Sequence, residues 1–210
     1  MNRILLISIL LVSTSIFVSC RETEEPMLPD NPTFADVNLL LNPGFEEGKA
    51  ANSINPFETD SIPANWEDAL VGPTYQVRWV KDTALVGERS LRLSSNWVDP
   101  AALAYVEQTI PFTQNGKRLK ISALIQVQDV EGEGVAFEVL GNTDENNNEA
   151  EFTQTTEMRI PIKGTAGWTS YGFTSDPVPD GITSLTYRIY MLRSTTGFAY
   201  VDEVTLLAEE

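Results

Sequence analysis

The sequence predicts an all-β fold, an antiparallel β-sandwich. Three observations carry that expectation. Strand-length stretches alternate apolar and polar residues with a period of two, the pattern of a strand with one face buried. Clusters of Gly, Pro, Asn and Asp punctuate those stretches at short intervals. No stretch carries the apolar spacing of an amphipathic helix.

The folded part opens at Asn38–Gly48, NLLLNPGFEEG. Leu39 to Leu41 read as a short first strand. Asn42-Pro43-Gly44 then breaks it, because proline lacks a ladder donor and glycine tolerates positive φ. Phe45 follows as a core plug, with Glu46 beside it. Further along, Leu119, Ile121, Ala123, Ile125 and Val127 form an apolar row against Lys120, Ser122, Gln126 and Gln128. Val135, Phe137 and Val139 alternate with Ala136, Glu138 and Leu140. Leu185, Tyr187, Ile189 and Met191 alternate with Thr186, Arg188, Tyr190 and Leu192. Turns are expected at Asn115-Gly116, Glu131–Gly134, Gly164 and Pro177–Gly181, and a polar surface loop over Gly141–Glu151. The last strand is Gly197–Leu206, GFAYVDEVTL. Its even row reads Phe198, Tyr200, Asp202, Val204 and Leu206, which puts one carboxylate in an apolar row. A buried ionised carboxylate is costly unless it is paired or bound to a metal. Glu46 and Asp202, one from each end of the domain, would meet that requirement by sharing a structural Ca²⁺, a hard cation that takes oxygen ligands. The alternative is that Asp202 accepts backbone N–H groups or pairs with an arginine while Glu46 is solvated.

The remainder of the chain reads as an address. Arg3, the apolar run Ile4–Val18 and Ser19 before the only cysteine, Cys20, have the layout of an export signal over residues 1–19. The run is shorter than the roughly 20 apolar residues that span a bilayer. Phe17-Val18-Ser19-Cys20 resembles a bacterial lipobox, which implies cleavage before Cys20 and lipid on its sulfur. Multiple acyl chains would anchor the protein stably. Residues 20–36, with three prolines and four acids in Arg21–Phe34, read as a disordered tether. Acids directly after the cysteine resemble the surface-export signals of Bacteroidetes lipoproteins. The expected place is therefore the outer membrane, facing the cell surface or the periplasm. Residues 37–210 are expected to form one domain, a common size for a single domain, acting as a monomer.

The formal net charge of −16 argues against nucleic acid, whose binding needs Lys and Arg on phosphates. There is no histidine, which removes Ser-His-Asp and Cys-His nucleophilic systems and the usual zinc sites. Only paired carboxylates remain for catalysis, and no compact carboxylate motif lies on a strand.

NLLLNPGFEEG, then PANW, GERSLRLSS, GWTSYGFTSDPVP and FAYVDEVTL, taken in that order, resemble carbohydrate-binding modules of families four, nine and twenty-two. The resemblance covers about Val37 to Ala208. It implies a galactose-binding-like jelly roll and further calcium ligands from backbone carbonyls around Gly87–Ser90. It also implies a polysaccharide or oligosaccharide ligand held without catalysis, in service of glycan-uptake or degradation proteins at the outer membrane. Sugar recognition needs aromatic faces and polar groups for hydroxyls. Trp97, in the turn-like SSNWVDP, is the candidate platform, with a folded-back core residue as its alternative. Gln126, Glu138, Arg188 and Tyr190 lie on polar rows expected to line the concave face, and Arg78 alternates against Tyr75, Val77 and Trp79. Trp66, Trp79 and Trp168 are expected in the core. The competing functions are a protein-docking lipoprotein and a small carboxylate-dependent glycan-degrading enzyme.

Overall fold

The computed structural model describes residues 37–48, 62–71, 74–81, 83–143, 151–157 and 159–209. The export signal, Cys20 and the tether lie outside the described residues, as does most of the polar loop. Among the described residues there is no helix, and nine antiparallel strands build the domain. They are β1 (Glu67–Val71), β2 (Tyr75–Val80), β3 (Ser90–Ser95), β4 (Leu103–Pro111), β5 (Leu119–Asn142), β6 (Phe152–Thr155), β7 (Ile162–Thr174), β8 (Ser184–Met191) and β9 (Thr196–Ala208).

β5 explains the architecture. It is 24 residues long and serves two layers. Its first half pairs with β9 and β7, and β9 carries β3 and β2. Its second half pairs with β8 and β6, and β8 carries β4 and β1. Glu131–Gly134 was expected to end a strand; instead it bends a continuous one. Gly132 and Gly134 take φ of +89° and +101°, and a side chain at Gly132 would run into the Ser194 carbonyl. Gly164, also expected as a turn, lies inside β7.

The three alternating rows point inward as expected. Ile121, Ile125, Phe137, Tyr187 and Ile189 are fully buried in one cluster that joins both layers. Tyr187 hydrogen-bonds the Ser122 carbonyl across the core at 3.1 Å, and burial pushes its pKa up. Phe45 and Trp66 are buried and packed together, with centroids 5.0 Å apart. Trp79 is buried and donates to the Phe45 carbonyl at 2.6 Å. Trp168 departs from expectation: it lies in β7 where the register against β5 slips, is half-buried, and stands outside the core cluster.

Two corrections concern the ends of the domain. Leu39 to Leu41 are not a strand. The Asn38 side chain occupies the place of a ladder, accepting from the Leu40 and Leu206 N–H groups and donating to the Val204 carbonyl. The even row of β9 is not one face either. Against β5 its register slips by one residue between Asp202 and Thr205, and Glu203 takes a φ of +44°. A bulge reverses the alternation. Ala199 and Val201 therefore face the core before it, and Val204 and Leu206 after it, while Phe198 and Tyr200 share the opposite row.

Candidate functional site

The outer face of the β1-β4-β8-β5-β6 layer is not a plain solvated surface. Two cross-strand rows run across it. One reads Glu67, Glu107, Arg188, Glu138 and Thr155; the next reads Ala69, Tyr105, Tyr190 and Ala136. The period-two pattern of the strands places these residues on the face opposite the core. Tyr190, Leu192 and Ala136 are buried there in a small apolar cluster of their own, with Leu103 and Tyr105 packed against it.

Arg188 sits at the centre of the first row. Its Nε and Nη2 both lie 2.8 Å from Glu107 Oε2, and its Nη1 lies 3.0 Å from Glu138 Oε1. Its guanidinium also rests 4.4 Å from the Tyr105 ring centroid. Burial works against the Arg188 charge, but the two carboxylates more than offset it and its pKa is raised. Burial raises the pKa of Glu138, opposed by Arg188 and assisted by Glu157 and Glu107. Tyr190 Oη donates to Glu157 Oε2 at 3.1 Å and meets Thr155 Oγ1 at 3.0 Å; burial pushes its pKa up as well.

Beside these rows opens a cavity of about 400 Å³ lined by Glu133, Glu138, Glu157, Arg188, Tyr190 and Arg193, with Leu103 and Leu192 as apolar walls. A second cavity of about 500 Å³ shares Glu133, Glu157 and Leu192 with it and continues past Ile160, Pro161 and Lys163. Together they make a groove. Hydroxyl-rich ligands suit such a lining, because carboxylates accept and guanidinium groups donate hydrogen bonds at fixed angles.

Three of the residues singled out from the sequence meet here: Glu138, Arg188 and Tyr190. Arg78 and Gln126 do not. They lie on the outer face of the other layer, because β2 and the first half of β5 belong to it. Alternation identifies a polar row but not which layer owns it. Trp97 is 69% exposed, so it is not folded back into the core. Its loop is tied to the β8–β9 turn, where Ser194 N donates to the Asp99 carbonyl at 3.1 Å, next to the groove residue Arg193. Glu107, Glu133, Glu157 and Arg193 were missed by sequence reasoning. Only Glu107, opposite Arg188 on a neighbouring strand, carried a signal, and using it needs the pairing.

At the opposite end of the chain's pairing, Asp202 is fully buried. Its Oδ2 accepts from the Leu85 and Val86 N–H groups at 2.9 and 3.0 Å, and its Oδ1 from Glu203 N at 2.8 Å. Glu46 Oε1 accepts from the Glu88 and Arg89 N–H groups at 3.0 and 3.1 Å. The loop 83–89 is thus clasped by both carboxylates. Gly87 is required there, since its φ is +70° and a side chain would collide with the Glu46 carboxylate. Ser90 begins β3 and donates its hydroxyl to the Thr83 carbonyl. Burial first, then the nearby carboxylates, raise the pKa of Asp202 and Glu203, despite the three N–H groups on Asp202.

No protein-family model and no curated protein sequence matches the chain. Solved structures do match. The chain is 17% identical to TmCBM61, solved with β-1,4-galactotriose, over 83% of this chain and 100% of that one, with a TM-score of 0.51. It is 20% identical to a CBM4 structure over 80% and 99%, with a TM-score of 0.50. A Stig cyclase from Fischerella sp. TAU matches at 16% identity over 83% and 98%, with a TM-score of 0.58. The chain also matches a bacteriophage CBA120 tailspike protein 4 domain but spans only 21% of that chain. The fold is a jelly roll. Carbohydrate-binding modules and enzymes both use it, so the fold by itself leaves the function to the site.

Proposed function

We propose that this chain is a non-catalytic glycan-binding module that takes a polysaccharide or oligosaccharide into the Glu138–Arg188–Tyr190 groove. The observation that carries this reading is the lining itself: acceptors from Glu133, Glu138 and Glu157, donors from Arg188 and Arg193, and apolar floor from Leu103 and Leu192. Trp97, exposed on the loop tied to the groove's Arg193 turn, supplies the free aromatic face that a pyranose stacks on. Two carbohydrate-binding modules with this fold support the reading. The anchor at Cys20 and a place at the outer membrane beside glycan-uptake or degradation proteins belong to the same proposal, on the strength of the lipobox-like sequence. A glycan-array screen of the chain, repeated with Glu157→Gln and Trp97→Ala, tests it. Binding weakened in both variants supports the groove. Absence of binding to every plant, algal and host glycan overturns it.

The proposal includes a structural Ca²⁺ at the clasped loop. Glu46 and Asp202 offer hard oxygens, and the Glu46 charge adds to the burial that raises the pKa of Asp202, a repulsion a cation relieves. Among the described residues no group of three His, Cys, Asp or Glu side chains is placed to hold a metal alone. Backbone carbonyls near Gly87–Ser90 would complete the shell. The ion would staple the two ends of the domain and take no part in binding chemistry.

A second reading, a carboxylate-dependent glycan-degrading enzyme, is favoured by one observation. Glu138 has a raised pKa in the same groove as Glu157, the arrangement of an acid beside a second carboxylate. Release of reducing ends from a bound glycan, abolished in Glu138→Gln, would establish it.

A further inference from the structure

The outer face of the β2-β3-β9-β5 layer has the opposite electrostatic character from the groove. Two rows cross it: Gln76, Ser94, Phe198 and Gln128, and beside them Arg78, Arg92, Tyr200 and Gln126. Neither row holds a carboxylate, in a chain with 30 acids and a net charge of −16. Arg78 and Arg92 are direct partners on adjacent strands. Like charges placed opposite one another in a sheet are destabilising, and among the described residues neither guanidinium has a carboxylate to relieve it. Arg92 Nε is moreover buried with no hydrogen-bond partner, and its guanidinium carbon lies 5.9 Å from the Phe198 ring centroid. Phe198 itself is 38% exposed. Among the described residues the Arg92–Phe198 contact is the one offset: the like-charge pair costs free energy, and an orphaned buried donor costs more.

We propose that this face is a second binding surface, separate from the groove, for a sugar chain carrying spaced carboxylate or sulfate groups. Two adjacent guanidinium forks match the planar or trigonal oxygens of such a group. The glutamines on either side offer amides to hydroxyls, and Phe198 offers a ring face to the apolar side of a sugar. The overall negative charge selects against densely charged polymers, because nucleic acid needs many cations at once. A chain with acids separated by neutral sugars meets the two arginines without that penalty.

The test uses the full chain at low and moderate salt. Partly esterified polygalacturonate, alginate, hyaluronate and a carrageenan are titrated beside fully esterified polygalacturonate, neutral dextran, single-stranded DNA and vesicles containing anionic lipid. The proposal expects at least one acidic polysaccharide to bind, its neutral counterpart not to, and DNA and vesicles to bind at least tenfold more weakly. Arg78→Gln/Arg92→Gln should lose that binding tenfold or more, while Arg78→Lys keeps part of it. The double variant should unfold no earlier than the parent, since it removes a like-charge pair, and that measurement separates lost binding from lost folding. Arg78→Gln/Arg92→Gln, outside the groove, should leave binding of a neutral glycan in the groove unchanged, so failure here and failure of the groove are distinguishable. Equal binding by parent and double variant overturns the proposal. So does binding of DNA or vesicles as tightly as the polysaccharide, or binding of none of the four acidic polymers.

Discussion

Arg188 and Glu138 face one another across β8 and β5, Nη1 3.0 Å from Oε1, and the same guanidinium reaches Glu107 on its other side. One cation thus holds two carboxylates from separate strands. Removing it in Arg188→Met leaves both half-buried acids unpaired, which should cost about 1–3 kcal/mol in urea unfolding. Adding Glu107→Gln to that variant should recover part of the loss. Simple additivity of the two substitutions would show that the pairing carries no stability.

Glu138, Asp202 and Glu203 all have raised pKa values, chiefly through burial. The folded chain then holds protons at pH values where the unfolded chain has lost them. Stability should therefore fall as pH rises from the ordinary carboxylate range, about 4, through the raised values. Thermal melts in chelator should give a higher Tm near pH 5 than near pH 8. Calcium should raise the Tm at pH 8 more than at pH 5, and Asp202→Asn should remove most of that gain. A Tm indifferent to calcium at both pH values would remove the ion from the account.

Trp97 and Trp66 should separate cleanly. Trp97→Ala touches a side chain that is mostly in solvent and should change stability by less than about 0.5 kcal/mol. Trp66→Ala empties a buried site against Phe45 and Tyr187 and should cost about 3–5 kcal/mol. The same pair in a glycan-binding assay, with Trp66→Ala read below its Tm, should show loss of affinity in the first.

Gly87→Ala should cost about 1–2 kcal/mol from the left-handed backbone alone and more from collision with the Glu46 carboxylate. Because the collision is with one side chain, Glu46→Ala should relieve it. A double-mutant cycle is then expected to show coupling of at least about 0.5 kcal/mol.

Much of this protein was already in its residue order. Period-two rows identified the core faces of β5 and β8, and Asn42-Pro43-Gly44 identified the turn that delivers Phe45 to the core, because alternation and turn chemistry are local properties of the backbone. Glu138, Arg188 and Tyr190 were legible as polar positions on those same strands. What only the tertiary structure decided was pairing. Glycines that permit turns can equally bend a strand, so Gly132 and Gly134 carried β5 from one layer to the other and sent Arg78 and Gln126 to a different face from Arg188. A single bulged residue at Asp202–Glu203 reversed the alternation of β9, and nothing in GFAYVDEVTL alone marks where it falls. Glu107 became the partner of Arg188, and Arg92 the neighbour of Arg78, through register between strands distant or adjacent in sequence. Local sequence sets which side of a strand a residue takes, but hydrogen bonding between strands sets what it meets there.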